Sequence, residues 1–261
     1  MIYDSHSHTE VSSDSEMLAA DALAAAEKLG LGLVFTEHFD YDYKETPHYR
    51  DKDFRFDPKA YWTRYEALRG DKLRLGVEVG LTDTCDAANR EFVGQAPFDQ
   101  VIGSIHILDN LDLYFKDFYE GKTKAEAYGR YFEAMARLVR ASDYIDVLGH
   151  IDYISRYAAY ENTELQYSLF ADAIDQVLQA VVQCDVVMEL NTRRLGNTIA
   201  LKELVPVYKR YAQLGGRYVT LGSDGHTPDA IGMNFKVAQE MADTLGLKTV
   251  TFCQRKMEYC K

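Results

Sequence analysis

Seven histidines occur in this chain of 261 residues, and their positions indicate shared chemistry. All but one stand at or just after the carboxyl end of a short apolar run that predicts a β-strand. These are His6, His8, His38, His106, His150 and His226. The carboxyl ends of the strands in a parallel barrel share one face, so we expect these imidazoles to converge there. Protonated imidazoles repel one another, and a bound metal ion is the usual reason to collect them.

Carboxylates stand at other predicted strand ends. Glu78 interrupts the apolar run L-G-V-E-V-G, where a buried glutamate needs a cation or a hydrogen-bond partner. A strand residue that faces solvent is the alternative. Asp224 precedes His226 by two residues in S-D-G-H, where it either joins the cluster or occupies an Asp-Gly turn. Asp14, in S-S-D-S-E, is on its own typical of a helix N-terminus.

Nitrogen and oxygen donors without thiolate suit zinc, manganese or iron. The histidines and carboxylates together exceed the roughly four to six ligands that one such ion takes. We therefore expect two or three divalent metal ions, with a carboxylate as the bridge. Sites with ions ~3.5–4 Å apart recur in phosphatases and nucleases.

The elements that must position these donors are predicted as strands alternating with helices. The strand-like runs are 2–3, 33–35, 73–79, 101–105, 145–148, 186–190, 218–221 and 249–252. The clearest helical patterns are 17–29, 124–141, 163–183, 199–214 and 228–245. For the first helix we predict a capping box at Ser13-x-x-Glu16 and a left-handed C-terminal cap at Gly30.

This alternation predicts an α/β fold with a mainly parallel sheet. Seven or eight such units in about 250 residues fit a barrel, and a doubly wound open sheet is the alternative. No G-x-G-x-x-G or P-loop motif follows the first strand, which weakens nucleotide-binding versions of the open sheet. With no linker or repeat, residues 1–261 are predicted to form a single domain. The aromatic, charged segment 40–57 is predicted to be a functional loop such as a lid.

Composition narrows the classes of function. A net charge of −12 opposes nucleic-acid binding, which normally needs a basic field. No run approaches the ~20 apolar residues of a membrane span, and the N-terminus resembles no secretory signal. We expect a cytoplasmic protein. Its four cysteines form no C-x-x-C pair, so free thiols are expected rather than a zinc ribbon or a thioredoxin motif.

The order of these motifs resembles that of the polymerase-and-histidinol-phosphatase (PHP) family. That order is H-x-H, T-E-H, an isolated glutamate, S-x-H, G-H and D-x-H, across residues 6–226. The resemblance implies a distorted, TIM-like (β/α)7 barrel with up to three metal ions at the carboxyl ends of the strands. It implies a first metal held by His6, His8, Glu78 and Asp224. A second would be held by His106, His150 and a bridging Glu78. A third would be held by His38, His226 and Asp14, which stands where relatives often carry histidine.

Two segments are similar to those of the histidinol-phosphate phosphatases within this family: G-H-I-D-Y-I-S-R-Y at 149–157 and E-L-N-T-R at 189–193. The resemblance implies that Arg156 and Arg193 bind the substrate phosphate, and guanidinium groups do match phosphate oxygens. The alternative is that both are surface charges. Arg194 could also take the place of Arg193.

The expected activity is hydrolysis of a small phosphate monoester, most specifically L-histidinol phosphate, by a hydroxide bridging the first two metals. Glu78, Asp224 and His226 are the candidate catalytic residues, and His48 in the lid segment is a candidate substrate contact. Neither a nucleic-acid nor a membrane partner is expected, and the oligomeric state is open. The alternatives are a PHP phosphodiesterase or nuclease, a phosphatase for phosphotyrosyl protein, an amidohydrolase-like or deaminase-like barrel, and a non-catalytic metal-stabilised scaffold.

Overall fold

A mainly parallel sheet forms the centre of the molecule. The computed structural model of the chain describes residues 1–49 and 52–260. The strands within these ranges are β1 (Tyr3–Ser7), β2 (Gly32–Phe39), β3 (Leu73–Gly80), β4 (Val101–Ser104), β5 (Ile107–Leu108), β6 (Leu111–Asp112), β7 (Val147–Leu148), β8 (Val187–Asn191), β9 (Tyr218–Gly222), β10 (Lys248–Cys253) and β11 (Lys256–Tyr259). The main sheet has the order β1-β2-β3-β4-β7-β8-β9-β10-β11. Its neighbours are parallel except β10 and β11, and β5 pairs with β6 as a separate hairpin.

Helices connect most of the parallel strands. They are α1 (Ala19–Leu29), α2 (Pro58–Tyr65), α3 (Asp86–Val93), α4 (Lys124–Ala141), α5 (Tyr153–Tyr157), α6 (Ala171–Gln183), α7 (Thr198–Gln213) and α8 (Phe235–Thr244). Every residue of β2 and of β3 is buried, as expected for parallel strands covered on both faces. The chain therefore has the predicted α/β fold.

The predicted strands are all present, most with ends moved by one or two residues, although β1 and β2 run on further to their candidate donors. The predicted helix 124–141 is confirmed as α4, which begins with a capping box between Thr123 and Glu126. Gly30 is confirmed as a left-handed cap, with φ of 68°. Apolar spacing therefore located the parallel strands and the longer helices, but not α2, α3, α5 or the hairpin strands.

The capping box predicted at Ser13 and Glu16 is wrong, because α1 begins only at Ala19. The preceding residues serve the loop after β1 instead. The Ser15 hydroxyl donates to the His8 carbonyl at 3.1 Å, and the Glu10 carboxylate accepts the Ala19 N–H at 3.0 Å. A carboxylate from outside the helix thus satisfies a free amide at its N-terminus.

Two other predicted helices were too long. The segment predicted as 163–183 is helical only from α6 onward, after a short 3-10 turn at Tyr167–Leu169. The segment predicted as 228–245 divides into a 3-10 turn at Pro228–Ala230 and α8, since Gly232 and Asn234 adopt positive φ between them. Left-handed residues interrupt an α-helix regardless of its apolar spacing.

The carboxyl end of β1 lies against the segment that follows β9. Ser7 and Gly225 form an isolated parallel bridge. The His8 amide donates to the Gly225 carbonyl at 2.9 Å, and the Asp224 amide donates to the His6 carbonyl at 2.9 Å. The first and the seventh of the parallel strands are therefore joined at the end where the candidate donors lie.

The hairpin between β10 and β11 lies at the opposite, amino end of the strands. The Gln254 amide donates to the buried Asp99 carboxylate at 2.9 Å, and Arg255 Nε donates to Asp146 at 2.5 Å. Asp99 also accepts the Leu75 amide at 2.9 Å and pairs with Arg69. This end of the sheet is closed by groups that satisfy one another.

The remaining sequence predictions concern thiols and membranes. Cys85, Cys184, Cys253 and Cys260 are free thiols. In the part of the chain that the structure describes, no helix combines the length and the apolar character needed to cross a bilayer.

Candidate metal centre

Glu78 lies at the centre of the predicted donors. Its side chain, on β3, is fully buried, so the alternative of a residue facing solvent is wrong. One carboxylate oxygen, Oε1, lies 2.8 Å from His150 Nε2 and 3.3 Å from His106 Nε2. The other, Oε2, lies 3.2 Å from His6 Nε2. Each oxygen therefore faces a different set of imidazoles, as a bridging carboxylate would.

The H-x-H pair and Asp224 form the group on the Oε2 side. His6 and His8 are both fully buried. Asp224 Oδ1 lies 3.8 Å from His6 Nε2 and 3.4 Å from His8 Nε2, and Glu78 Oε2 lies 3.5 Å from His8 Nε2. The turn at Asp224 has φ of 54°, a left-handed conformation that asparagine and aspartate tolerate best among residues other than glycine. Both sequence interpretations of Asp224 therefore hold, since the turn places it in the cluster.

His38, His226 and Asp14 form an outer group at the mouth of the cluster. Asp14 Oδ2 lies 3.2 Å from His226 Nε2 and 3.6 Å from His38 Nε2. The ring of His8 stacks on those of His38 and His226, with centroids 4.1 and 4.4 Å away. These three rings place ligand nitrogens within 4.8 Å of one another. All nine predicted donors therefore meet in one connected cluster.

Several ligand atoms in the cluster point at one another without hydrogen bonding. Within residues 1–49 and 52–260, Nε2 of His6, Nε2 of His8, Nδ1 of His38 and Oε2 of Glu78 are buried and have no hydrogen-bond partner. Buried polar atoms of native proteins are almost always paired, so each exception requires an explanation. A divalent cation accepts lone pairs from nitrogen and oxygen alike and would satisfy all four atoms. The donor set therefore fits metal ions.

The charges of the cluster also favour cations. Burial raises the pKa of Glu78, but His6, His106 and His38 outweigh that effect and hold the pKa well below its usual value. Burial raises the pKa of Asp224 as well, and Arg156 together with the neighbouring histidines more than reverses that rise. Both carboxyl groups are thus ionised at neutral pH. Ionised carboxylates are the form in which these side chains bind metals.

The two histidines of the H-x-H pair differ in pKa. Burial, reinforced by His38, lowers the pKa of His8 well below its usual value. Burial also lowers that of His6, but Glu78 and Glu189 outweigh it and raise the His6 pKa well above the usual value. His8 is therefore neutral and ready to ligate, whereas an ion at His6 would displace a proton.

Supporting groups beneath the donors were not identified from the sequence. Asp40 Oδ1 lies 2.9 Å from His106 Nδ1, and the Ser104 hydroxyl donates to Glu78 at 2.6 Å. The buried Glu37 accepts from the Ser12 hydroxyl at 2.6 Å. Glu37 stands directly before His38 in the T-E-H motif, and that position is the signal that marks it. Asp40 and Ser104 carry no comparable signal, because their partners come from distant parts of the chain.

Glycines make room for this supporting layer. A Cβ added at Gly80 would lie 2.0 Å from Asp40 Oδ1, and one at Gly149 would lie 2.2 Å from Ser104 Oγ. A Cβ at Gly222 would lie 2.1 Å from Glu189 Oε1. Real Cβ atoms do not approach other atoms so closely, so any larger residue at these positions would displace a side chain of the supporting layer.

A cavity of about 650 Å³ opens over the cluster. Arg156 lies in its wall with its side chain 5% exposed. One guanidinium nitrogen of Arg156 pairs with Asp224, while Nε and the other terminal nitrogen, although buried, have no partner among the described residues. Unpaired guanidinium N–H groups in a cavity wall suit an anion with several oxygens.

Arg193 and Arg194 occupy different environments. Arg193 lines the same cavity, half-exposed, with one terminal nitrogen 3.5 Å from Asp224 Oδ2. Arg194 instead points away from the cavity and pairs with Glu164 at 2.7 Å and with Asp152 at 3.3 Å. Of the two neighbours that the sequence left open, Arg193 is therefore the one that faces the candidate site.

His48 contributes to the cavity wall from the segment predicted as a lid. Its Nε2 lies 2.7 Å from Asp117 Oδ2, and its ring stacks on Phe115 with centroids 3.9 Å apart. The Asn110 amide donates to the Glu45 carbonyl at 2.8 Å. The described part of this segment is therefore fastened to the chain that follows β4, and residues 50 and 51 of the prediction lie outside the described residues.

A model of the PHP domain matches residues 4–193 of the chain. The chain therefore belongs to the PHP family, as its motif order predicted. It is 44% identical over 259 residues to a Clostridium acetobutylicum protein named "Probable histidinol-phosphatase", covering 99% of this chain and 100% of that protein. A protein from Lactococcus lactis subsp. lactis named "Histidinol-phosphatase" is 26% identical, covering 98% of this chain and 96% of the relative.

A solved structure resembles the chain over nearly its whole length. It is the crystal structure of histidinol phosphate phosphatase from Lactococcus lactis subsp. lactis complexed with zinc, L-histidinol and phosphate. It matches with a TM-score of 0.91 and 27% identity, and the match covers 98% of each chain.

Proposed function

We propose that this protein is a metal-dependent phosphomonoesterase that hydrolyses L-histidinol phosphate to L-histidinol and inorganic phosphate. The observation that carries the proposal is one cavity over which clustered imidazoles and carboxylates lie beside a buried arginine with unpaired N–H groups. A phosphate monoester needs both cations and hydrogen-bond donors around its oxygens. The names of the relatives, and the zinc, histidinol and phosphate in the Lactococcus structure, support this particular substrate.

Two or three divalent ions, zinc by analogy with the Lactococcus structure, are proposed for the cluster. His6, His8, Glu78 and Asp224 would hold the first. His106, His150 and a shared Glu78 would hold the second. His38, His226 and Asp14 would hold the third, and the close approach of His8 to that group would allow it to contribute there. Such ions supply Lewis acidity at phosphoryl oxygens and lower the pKa of water.

The chain's own residues position the substrate. Arg156 and Arg193 bind phosphoryl oxygens, where negative charge accumulates during transfer. Burial keeps Arg156 in place and excludes water, which strengthens its interaction with the charge. Glu78 and Asp224, both ionised, orient the imidazoles around them. These roles make Arg156 the more important of the two arginines, because Arg193 is half-exposed.

The leaving oxygen of the substrate needs a proton. His226 and His48 are the candidates, because Asp224, the third residue that the sequence offered for this role, is ionised. Only His48 lies outside the proposed metal ligands, and Asp117 holds its Nε2 at 2.7 Å. Its Nδ1 is buried without a partner among the residues that the structure describes. We assign His48 a contact with the histidinol portion of the substrate, and His226 and His48 remain the candidate donors of that proton.

The finer description of the fold is also a proposal. The seven parallel strands β1, β2, β3, β4, β7, β8 and β9 are proposed to close as a distorted (β/α)7 barrel. The bridge between Ser7 and Gly225 supports closure between β1 and β9. The chain is further proposed to be a single domain, since one cluster of buried apolar side chains extends from Met17 to Leu247.

The experiment is phosphate release from L-histidinol phosphate before and after removal of bound metal by a chelator. Hydrolysis is expected to fall by at least about 100-fold and to return with added zinc. Phosphotyrosyl peptide and p-nitrophenyl phosphate serve as comparison substrates and should be hydrolysed far more slowly. Unimpaired turnover in metal-free protein would contradict the proposed chemistry, and preference for the peptide would contradict the substrate.

A further inference from the structure

Glu189 is a second glutamate within an apolar strand, and none of the proposed metal sites includes it. It lies on β8 with its side chain 1% exposed. Its two oxygens have different partners. Oε1 lies 2.6 Å from His6 Nδ1, and Oε2 accepts the His150 amide at 2.7 Å and the Asn191 side-chain amide at 3.2 Å.

These contacts determine how His6 presents its ring. A carboxylate oxygen 2.6 Å from Nδ1 accepts the proton of that nitrogen. That leaves Nε2 as the nitrogen that faces Glu78 Oε2, 3.2 Å away, and from which a bound ion would displace the proton. Carboxylates that accept from the outer nitrogen of a ligand histidine fix its tautomer and its orientation.

The same carboxylate also holds His150. The bond from the His150 amide fixes the backbone at the end of β7, and the ring of that residue reaches Glu78 Oε1 at 2.8 Å. Glu189 therefore contacts one residue of each of the two proposed sites that Glu78 bridges. From these contacts we infer that Glu189 is a positioning residue that keeps the ligands of the first and second metals in register.

The side chain of Glu189 is packed closely against the neighbouring strand β9. A Cβ at Gly222 on the neighbouring β9 would lie 2.1 Å from Oε1 and 2.6 Å from His6 Cβ. On the other side, the Tyr208 hydroxyl donates to the Glu189 carbonyl at 2.5 Å. The carboxylate therefore lies in close contact with β9. Because it is hydrogen-bonded to His6 Nδ1, a shift of the carboxylate would move the His6 ring.

The inference rests on the proposed metal sites, and it is tested by zinc affinity rather than by activity. Metal-free protein is titrated with zinc in competition with a chelating dye. Glu189→Gln keeps the shape of the side chain. Its single amide oxygen, however, can accept only one of the hydrogen bonds from His6 Nδ1 and the His150 amide. It is expected to weaken zinc binding about 10–100-fold, the usual effect of losing such a partner. Glu189→Ala, which accepts neither bond, should weaken it further.

Asp99→Asn is the matched control. Asp99 is equally buried and accepts backbone amides from Leu75 and Gln254, both at 2.9 Å, but it lies at the amino end of the strands. The control is expected to lower the unfolding temperature while leaving zinc affinity unchanged. Gly222→Ala, which crowds the carboxylate without removing it, should weaken zinc binding in the same direction as Glu189→Gln.

Zinc affinity equal to that of the unmodified protein in both Glu189→Gln and Gly222→Ala would overturn the inference. Equal losses in Glu189→Gln and Asp99→Asn would also overturn it, because they would show a general effect of stability. The zinc titration does not involve substrate. If Glu189→Gln weakens zinc binding but the wild-type protein fails to hydrolyse L-histidinol phosphate, the proposed function is refuted and this inference is supported.

Discussion

The two ends of the parallel strands differ in the partners of their buried carboxylates and imidazoles. At the amino end, both oxygens of Asp99 and one oxygen of Asp146 are bonded to backbone amides and to arginines within the fold. At the carboxyl end, nitrogens of His6 and His8 and an oxygen of Glu78 are buried without partners in the described parts of the chain. The amino end serves stability, and the carboxyl end reserves its donors for a ligand.

This contrast shows that donors kept free for a ligand lower the stability of the fold. Buried polar groups without partners are unfavourable, whereas fully bonded groups at least offset their desolvation. The amino end of the strands and the apolar core must therefore supply the stability that the unpartnered donors at the carboxyl end gain only when cations bind. Substitutions at the two ends should separate activity from stability.

The largest effect is expected at Arg156. Arg156→Ala removes a buried guanidinium with unpaired N–H groups from the cavity wall and leaves Asp224 with only the longer contact to Arg193. We expect kcat/KM for L-histidinol phosphate to fall about 1,000-fold, the upper range for one electrostatic donor. Steady-state kinetics at saturating zinc would measure it. Arg193→Ala, at a half-exposed position, is the matched comparison and should lose clearly less. Equal losses would contradict the assigned difference between them.

An intermediate effect, on stability alone, is expected at Asp146. Asp146→Ala leaves the Val101 amide and Arg255 without their partner. The free energy of unfolding should fall by about 2 kcal/mol, as when a buried donor is left unsatisfied. Denaturant unfolding measures this change, and kcat should be unaffected. A loss of kcat with unchanged stability would break the contrast between the two ends.

The loss of stability in Asp146→Ala should also depend on pH. Burial raises the pKa of Asp146, and Arg255 reverses only part of that rise. A carboxyl group with a higher pKa in the folded state binds more protons folded than unfolded. Its contribution to stability is therefore greatest below the unfolded value of about 4 and declines as the pH rises through the folded value. The gap between wild type and Asp146→Ala should narrow with rising pH.

The smallest effect is expected at His48, in the segment 40–57 that the sequence predicts as a lid. Asp117→Asn weakens the bond that holds His48 Nε2 against the cavity wall. Loss of one such hydrogen bond corresponds to ~1 kcal/mol, or about a fivefold rise in KM. The value of kcat should change little if His48 only contacts the substrate. A loss of kcat larger than the change in KM would instead assign His48 to proton transfer.

The site residues that could be predicted are those marked by a pattern among their neighbours in the sequence. Each histidine donor directly follows an apolar run, and β-strand geometry then brings the strand ends together. Glu78 was identifiable because an isolated charge in an apolar strand needs a partner. The order of the motifs added Asp14, which residue chemistry alone would have assigned to a helix cap.

The rest depends on contacts between distant residues. Glu189 meets His6 from 183 positions away, and Asp40 meets His106 from 66 positions away, so neither role follows from local pattern. The incorrect cap at Ser13 has the same origin. Nearby serines of that segment bind Glu37 and the His8 carbonyl, and tertiary bonds override local capping preference.

The glycines under the donors also limit how the protein can change. At Gly80, Gly149 and Gly222 even one methyl group would collide with a neighbouring oxygen. The space beneath the donors is thus already occupied. A single substitution to a bulkier residue at any of these positions would displace a supporting side chain. Attempts to alter metal preference by mutagenesis should therefore vary the outer residues, Asp14 above all, and keep these three positions constant in any library.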